Sequence, residues 1–464
     1  MTIEEILLIE DNTELIKALK SQRGKDLPDI ELYKKQWSPS THEVMTNKSL
    51  LPDKTVKRGD AEVLKPVNRI TAPLQKKIVN TAVSFAFGNP VSLNAEPENT
   101  NQQLLFDALS KIDKDNKLKS FNRKVYREVL RATEVAELWY LKEVQKDEYY
   151  GFSTNERLRV AAFNPFDGDI LYPCFDEYND LVAFSREYIV KDEKGKEITC
   201  FDSYLDDRTI KFKKLSGNWE LISEEVNTLG KIPVVYMSAE SPDWSDVQTN
   251  IERIEFLCSK LAETNDYHSS PTVFVEGNLT SMPEKGESGK VIQGKNGTKA
   301  YYLSWDNMPQ SLKLELEMLV KFTYGLTGTP DVSFDSVKGL GSISGVALEM
   351  LFMDAHLKVQ EKKEYLDEYL QRRVNIQLHI LGQLSNLQND AALLNVEPEI
   401  IPFKINDEKT TIENIATAVG SGILSKRSGI KVLSWVKDTD DELAQINKEE
   451  AQSQSHNLFE PTAP

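Results

Sequence analysis

Two helical patterns separated by a glycine-rich break decide how this chain is organised. The first is 308-MPQSLKLELEMLVKFTYGLT-327, in which Leu312, Leu316 and Leu319 recur at helical spacing. The break is 329-TPDVSFDSVKGLGSIS-344. The second pattern is 345-GVALEMLFMDAHLKVQEKKEYLDEYLQRRVNIQLHILGQLS-385, which carries an apolar stripe that starts at Leu348 and extends to Ile376. At a rise of ~1.5 Å per residue, these patterns predict helices of about 30 Å and about 60 Å.

A helix of about 60 Å is longer than one small domain is wide. Its apolar stripe needs a coiled partner, several domains strung along it, or neighbouring subunits to cover it. A long helix inside one large all-α domain, with a surface loop before it, fits the same periodicity. The pattern therefore leaves these architectures open.

The composition is that of a globular protein with an acidic balance. Apolar residues make up 40% of the 464 residues, charged residues make up 28%, and the formal net charge is -17. This balance argues against a broad basic surface that grips nucleic acid. An acidic wall that surrounds a duplex and repels its phosphates remains compatible with it, and so does an ordinary soluble surface.

The sequence lacks the common signatures of catalytic and metal sites. It has no phosphate-binding Gly-x-x-x-x-Gly-Lys-Ser/Thr loop and no HExxH, and its five histidines are dispersed. The three cysteines form no CxxC or Cys/His cluster, so neither a disulfide framework nor a zinc site is predicted. The acidic start and the lack of a long apolar run predict neither a signal peptide nor a membrane span. No enzyme and no cofactor are therefore predicted.

The rest of the chain alternates between helical and extended patterns. Residues 1 to 60 are polar, with one helical patch from Ile3 to Leu19, and we expect a loosely packed arm. Helices are predicted from about Val67 to Gly88 and from about Gln103 to Ala136. Short apolar runs with regular turns then predict a β-rich, mostly antiparallel region up to Met237.

A second set of extended runs interrupts two helices of similar length. Residues 272 to 305 contain these runs and several glycines, after a predicted helix that begins near Trp244. The β insertion must therefore lie at the far end of an antiparallel helix pair. After Ser385, short helices are predicted near Thr411, Ser425 and Asp438, followed by a polar tail that we expect to be disordered.

The order of these parts, together with short motifs, resembles the portal proteins of tailed bacteriophages, of the siphophage type. The resemblance covers roughly residues 60 to 450, and the motifs are specific through their order and spacing. They are Asn68-Arg69-Ile70, Phe87-Gly88-Asn89-Pro90-Val91, Thr327-Gly328-Thr329-Pro330-Asp331, Ser344-Gly345-Val346-Ala347-Leu348 and Leu351-Phe352-Met353.

The resemblance implies an α+β, multi-domain subunit with a β-rich wing, antiparallel stem helices, a small β clip, a long central helix and a helical crown. The implied boundaries are an N-terminal arm 1–60, wing 61–242, first stem helix 243–267, clip 268–307, second stem helix 308–328, tunnel loop 329–344, long helix 345–385, crown 386–450 and tail 451–464.

The resemblance also implies a function and partners. Such subunits form rings of about twelve copies at a capsid vertex, through which double-stranded DNA is packaged and ejected without sequence specificity. The implied partners are the large terminase subunit, which hydrolyses ATP, the capsid or scaffold protein, and a head–tail adaptor. The implied location is the virion, after assembly in the host cytoplasm, with no membrane association.

Candidate site residues follow from this picture. In the tunnel loop, Lys338 is the one positive charge that could touch phosphate, and it is equally compatible with an ordinary exposed lysine. The loop residues that would face DNA are Lys338, Gly339, Leu340, Gly341 and Ser342. The stem acids that line the channel or pair with neighbours are Glu252, Glu255, Glu315 and Glu317.

Two other classes of function remain open on sequence grounds. A metal-dependent DNA-processing enzyme could use scattered carboxylates, and it would show divalent-dependent DNA cleavage. A coiled-coil scaffold would form elongated dimers, although a β insertion between its helices fits that architecture poorly.

Overall fold

The protein is described by a computed structural model. It describes residues 2–58, 61–268, 272–281, 293–303, 309–331, 350–403, 408–433, 435–436 and 439–457. The chain divides into two compact units, Met1–Asp331 with Asp354–Phe403, and Val332–Met353 with Lys404–Pro464. The tunnel-loop residues Lys338, Gly339, Leu340, Gly341 and Ser342 lie outside the described residues.

Helices and strands are mixed along the chain, in agreement with the predicted α+β class. The helices are α1 Ile3–Leu7, α2 Asn12–Ser21, α3 Ile30–Trp37, α4 Glu43–Thr46, α5 Leu74–Phe87, α6 Thr100–Asn116, α7 Leu118–Ala132, α8 Gln248–His268, α9 Pro309–Leu326, α10 Met353–Ser385, α11 Gln388–Leu393, α12 Glu408–Gly420, α13 Lys426–Val432 and α14 Thr439–Asn457, with short 3₁₀ turns at Pro39–Thr41, Pro165–Asp167 and Ser245–Val247.

The strands are grouped into small antiparallel sheets. They are β1 Lys54–Arg58, β2 Ala61–Lys65, β3 Ser92–Ala95, β4 Glu134–Asp147, β5 Thr154–Phe163, β6 Ile170–Phe175, β7 Leu181–Lys191, β8 Glu197–Tyr204, β9 Arg208–Leu215, β10 Asn218–Val226, β11 Val234–Ser238, β12 Thr272–Glu276, β13 Leu279–Ser281, β14 Gln293–Gly294, β15 Lys299–Leu303 and β16 Val396–Glu399.

The predicted β-rich region up to Met237 contains two sheets. Strands β6 to β10 form a five-stranded sheet in the order β10-β9-β8-β7-β6, and β11-β4-β5 form a three-stranded sheet. Every pairing is antiparallel. Sequential strands pair because turns such as Ser216-Gly217, with both residues at positive φ, reverse the chain within two residues.

The prediction of a loosely packed N-terminal arm is wrong. Ile6 of α1 and Ile16 of α2 are fully buried in one core with Phe201 and Phe212 of the five-stranded sheet. Both helices have side-chain N-caps, a capping box of Thr2 with Glu5 in α1 and Asp11 in α2. The first helical segment therefore covers one face of this sheet.

The single helix predicted from about Gln103 to Ala136 is two helices. Lys117 adopts a left-handed conformation, with φ of 51° and ψ of 47°, and separates α6 from α7. Strand β4 then begins at Glu134. The apolar periodicity continues across this joint because both helices bury their stripes in the same unit, so periodicity alone could not detect it.

The long helix, α10, is described from residue 350 onwards, and residues 345–349 of the predicted helix lie outside the described part of the chain. Met350 and Leu351 are helical, Phe352 is a turn residue, and the continuous helix runs from Met353 to Ser385. Its 33 residues correspond to about 50 Å. The helix ends at Ser385, as the predicted boundary has it, and the next residue, Asn386, has a positive φ.

Residues 408–457 of the second unit contain three helices in their described part. Ser425 and Ser428 were both candidates to start α13, and Ser425 is its N-cap. Helix α14 begins with Asp440, Asp441 and Glu442 in its first turn, as the acidic run indicated. It continues to Asn457, so residues 451–457 are helical and the expectation of a disordered segment there is wrong; residues 458–464 lie outside the described part of the chain.

Candidate functional site: the helix pair and its junction with the long helix

Helices α8 and α9 run antiparallel and carry the β insertion at one end. Strand β12 follows α8 and pairs with β15, which precedes α9, so the two helices are joined there. At the other end, Asp243 before α8 and Thr327 after α9 both contact Lys358. Along the pair, Arg253 donates two hydrogen bonds to Glu315, at 2.8 and 3.0 Å.

Lys358 of the long helix ties both ends of this pair to one point, which we call the junction. Its Nζ lies 2.5 Å from Asp243 Oδ2 and 2.7 Å from the carbonyl oxygen of Thr327. Burial lowers the pKa of Lys358 and raises the pKa of Asp243, and their mutual attraction opposes both shifts. Because each charge is buried, neither can lose its partner without leaving an unpaired charge.

Gly328 makes the junction sterically possible. It has a φ of +55°, and a Cβ there would lie 3.1 Å from the Asp354 carbonyl oxygen and 3.2 Å from Lys358 Cβ. A side chain would therefore be strained by both the backbone angle and the space. The Thr-Gly-Thr-Pro motif at 327–330 therefore lets the end of α9 pack closely against the first turns of the long helix.

A second buried ion pair holds the long helix against the three-stranded sheet. Arg373 donates two hydrogen bonds to the Glu137 carboxylate, at 2.8 and 2.9 Å, and a third to Asn122 Oδ1 at 2.6 Å. Trp139 Nε1 also donates to Glu137, at 3.1 Å. The side chains of Arg373 and Glu137 are 3% and 0% exposed. This bidentate geometry compensates the cost of burying both charges.

The motif Asn68-Arg69-Ile70 lies along α8. The backbone N–H groups of Asn68 and Ile70 donate to Glu263 and Ser259, at 2.5 and 2.9 Å. The Asn68 side-chain amide donates to Asp266 at 2.6 Å. The extended segment before α5 is therefore bound to α8 by polar groups that recur on one face of that helix.

The motif Phe87-Gly88-Asn89 contacts a chain segment far away in sequence. The Asn89 amide donates to the carbonyl oxygens of Ile401 and Pro402, at 3.4 and 3.3 Å. A Cβ on Gly88 would lie 3.1 Å from Phe403 Cβ. Glycine and asparagine at these positions therefore hold the end of α5 against the segment that follows β16.

The predicted stem acids differ in their environments. Glu255 is 1% exposed and accepts hydrogen bonds from the Ala72 N–H at 2.8 Å and from His42 Nδ1 at 2.6 Å, so it cannot line a channel. Glu252 accepts a hydrogen bond from Gln248, Glu315 pairs with Arg253, and Glu317 lies 3.7 Å from Lys313. These three remain on or near the surface of the helix pair.

Helix α9 exposes large apolar side chains. Leu314, Met318, Phe322 and Leu326 recur every fourth residue and are exposed by 58%, 46%, 53% and 66%. The face packed inside the subunit carries Thr323 instead, which is fully buried. A soluble helix normally buries its apolar side chains and exposes polar ones. We call the four exposed residues the α9 stripe; it spans about 18 Å.

Sequence reasoning missed the residues of both buried ion pairs. Arg373, Lys358 and Glu137 were not singled out as site residues. A signal was present for the long helix: Arg373 falls seven residues after Leu366 and three after Leu370, within the apolar stripe. A basic residue inside such a stripe needs a buried acceptor, but the sequence does not identify which carboxylate supplies it.

Within the residues that the structure describes, no group of three or more His, Cys, Asp or Glu side chains could hold a metal ion. No helix in the described ranges is long and apolar enough to cross a membrane.

A family model described as "Phage portal protein, SPP1 Gp6-like" matches residues 16–456. This chain belongs to the phage portal protein family. The match therefore confirms the resemblance read from the motifs, and it identifies the chain as a portal protein, a virion component. The family is structural rather than enzymatic, and the match gives no support to a nuclease or a coiled-coil scaffold.

Solved structures with a similar course of the chain come from gene transfer agent particles. The neck of an empty particle, computed with C6 symmetry, gives a TM-score of 0.43 at 7% identity, covering 88% of this chain and 94% of that one. The neck of a native particle, computed with C12 symmetry, gives a TM-score of 0.43 at 8% identity, and the match covers 90% of this chain and 98% of that one. No curated protein matches the portal chain.

Proposed function

We propose that this portal chain assembles into a closed ring of about twelve copies, with double-stranded DNA passing through its centre. The observation that carries the ring is the α9 stripe. Four large apolar side chains in one row, exposed within the described part of the chain, form a surface that a neighbouring copy would bury. A row with a four-residue period is also the ridge that packs into the groove of another helix.

The helix pair α8–α9 would be the stem of this ring, and the β insertion at its end would be the clip. The two-stranded pairings β12–β15 and β13–β14 make that insertion a small structure of its own. We propose that the clip meets the large terminase subunit during packaging and a head–tail adaptor afterwards. The residues before the stem would be the wing, and residues 386–450 the crown, facing capsid or scaffold protein.

The loop between the stem and the long helix would point at DNA. The loop starts directly after Thr327, which is held at the junction by Lys358. We propose that Gly339, Gly341 and Ser342 let the loop change shape as DNA passes, and that Lys338 contacts phosphates transiently. The acidic balance of the chain, with a formal net charge of -17, would keep the wall repulsive to phosphate, so that the duplex slides.

We further propose that the chain itself catalyses no reaction and that ATP hydrolysis resides in the terminase. Assembly would take place in the host cytoplasm before DNA enters. Incubation of the purified protein with DNA and Mg²⁺ should therefore leave the DNA intact, and cleavage that co-purifies with the ring would contradict the proposal.

The ring is tested by placing a charge in the α9 stripe. Twelve copies of the 52.7 kDa chain have a mass of about 630 kDa. Light scattering and negative-stain imaging should show rings of that mass for the unmodified protein. Phe322→Glu should yield monomers with an unchanged circular dichroism spectrum. The matched control is Tyr178→Glu, at an exposed site of the wing.

Rings formed equally well by Phe322→Glu would show that the stripe is not the subunit interface. Loss of rings in both variants would show that the effect of charge is not specific to the stripe. Where rings form, shortening the loop at Gly339 to Ser342 should lower DNA packaging without changing ring mass. Normal packaging by that variant would refute the role proposed for the loop.

A further inference from the structure

A cavity of about 430 Å³ lies at the junction and opens to solvent. The segment that leads into α8, the end of α9 and the first turns of the long helix surround it. Leu326 and Leu357, which are 66% and 60% exposed, form an apolar part of its lining. Leu326 is also the last residue of the α9 stripe. This cavity, which we call the junction cavity, therefore continues the apolar surface of the stripe as far as the long helix.

The charged lining of the junction cavity has an excess of acids. Two further acids in it, Asp246 and Asp354, are exposed, and no ion pair joins either of them to a base within the part of the chain that the structure describes. A cationic side chain with an apolar stem would therefore fit this lining, because its charge would meet the two acids and its stem would cover the two leucines. Both lysines of the lining are already paired with acids; the pairs are Lys358–Asp243 and Lys362–Glu361.

Helix α3 carries a surface of the opposite character. None of its eight residues is buried. Lys35 in its last turn is exposed, and no ion pair joins it to an acid among the described residues. Leu32, three positions earlier and on the same face of the helix, is 44% exposed. A cation beside an apolar side chain is the complement of the two acids and two leucines of the junction cavity.

Trp244 separates these two surfaces within one subunit. Its indole is fully buried, lies 5.6 Å from the ring of Trp37 at the end of α3, and donates to Gln36 at 3.0 Å. The residues on either side of it, Asp243 and Ser245, line the junction cavity, whereas Trp244 does not. Helix α3 and the junction cavity therefore lie at the same level of the helix pair, on different sides of the segment that leads into α8.

The α9 stripe alone is too small for a stable interface. Its four side chains are about half exposed. At about 150–250 Å² for a fully exposed aromatic side chain, four such residues offer at most roughly 600 Å². A stable interface buries about 800 Å² on each partner. The contact between copies must therefore extend past the stripe, and the junction cavity is where the apolar surface continues.

We propose that α3 of one copy docks in the junction cavity of the next copy, with Lys35 facing the two acids and Leu32 facing the two leucines. This contact rests on the proposed ring, and it names the surface that meets the far end of the α9 stripe. A ring needs a head-to-tail contact between two different surfaces of the subunit. When the helix pair runs along the ring axis, rotation keeps every surface at its own level. Two complementary surfaces at one level, on different sides of the subunit, meet both conditions.

The first test measures ring assembly of charge variants by light scattering over a series of protein concentrations. Lys35→Glu should raise the concentration at which half of the copies are in rings at least about tenfold, because like charges then face each other across every contact. Asp246→Lys should have the same effect. The double variant Lys35→Glu/Asp246→Lys places opposite charges there again and should restore most of the assembly. The matched control is Lys194→Glu, at an exposed lysine in the turn between β7 and β8, which should assemble as the unmodified protein does.

The second test joins the two surfaces covalently. Cys174 and Cys200 are buried, so replacing Cys258 with serine leaves no accessible native thiol among the three cysteines. In this background, Lys35→Cys/Asp246→Cys treated with a short bismaleimide should give a ladder of linked oligomers on a denaturing gel, because each copy is joined to two neighbours. Lys35→Cys alone and Asp246→Cys alone should remain monomers on the same gel.

Several outcomes would overturn the proposal. They are equal assembly of Lys35→Glu and Lys194→Glu, no ladder from assembled rings of the double-cysteine variant, and dimers from either single-cysteine variant, which would show that like surfaces face each other. Weaker DNA binding by Lys35→Glu with unchanged rings would assign the basic end of α3 to phosphate instead. Loss of rings in Phe322→Glu together with normal rings in Lys35→Glu would keep the α9 stripe as an interface and remove α3 from it. Absence of rings at every concentration of the unmodified protein would overturn both proposals.

Discussion

Breaking the buried pair of Arg373 and Glu137 should be among the most destabilising single changes in the first unit. Arg373→Met keeps an unbranched apolar side chain of similar length but removes four hydrogen bonds, two of them to Glu137. It leaves the Glu137 carboxylate, which is 0% exposed, without a cationic partner, although Trp139 Nε1 still donates to it. Removing one partner of such a pair costs about 3–5 kcal/mol. Arg373→Met/Glu137→Gln should recover most of this cost, because neither charge is then left unpaired.

The assay is urea unfolding followed by tryptophan fluorescence. Trp139 reports directly on the site because its Nε1 donates to Glu137, and a Trp139→Phe reference isolates its signal from the other five tryptophans. A loss below about 1 kcal/mol for Arg373→Met would refute the reasoning, because exposed pairs contribute that little. A double variant no more stable than Arg373→Met would refute the compensation argument.

For three further changes, the structure determines whether the protein becomes more or less stable. Gly382→Ala should destabilise by about 1–3 kcal/mol in urea relative to Gly325→Ala, because its Cβ would lie 2.8 Å from Ala391 Cβ and nothing lies near Gly325. Lys117→Gly should raise the Tm and increase the free energy of unfolding by about 1 kcal/mol, because glycine adopts a φ of 51° without strain. An unchanged Tm would contradict the idea that the joint between α6 and α7 is strained. Asp113 has a folded pKa of about 6, above its unfolded value, so the native state binds the extra proton. Stability should therefore rise as pH falls from about 6 to about 4, and this slope should be lost in Asp113→Asn.

Periodicity was enough to predict most elements of the fold. The α9 and α10 patterns, the alternation in β4 to β11 and the short β insertion each involve neighbouring residues whose spacing is local. The end of α9 near Gly328 also followed from sequence, because glycine and proline restrict the backbone directly. These features could be predicted because each depends on a few consecutive residues.

Contacts between distant segments could not be predicted in the same way. Glu137 and Arg373 are 236 positions apart, and His42 and Glu255 are 213 apart. Acidic residues are too frequent in this sequence to select one as a partner. The N-terminal segment was misjudged because its apolar residues are few, yet Ile6, Ile16 and Leu19 are buried. The α9 stripe was not predicted, because the helical spacing noted in the sequence was that of Leu312, Leu316 and Leu319, and the exposure of the other face depends on how α9 packs.

The junction at Lys358 has a mechanical consequence. The helix pair leaves the body of the subunit at Asp243 and returns at Thr327, and one ammonium group holds both exits. A force that pulls on the tip of the helix pair therefore acts on the contacts of Asp243 and Thr327 at the same time. Lys358 transmits this force to the first turns of the long helix. Force on the tip would have to break both bonds together rather than peel them in succession, so the hairpin transmits tension as a single strut.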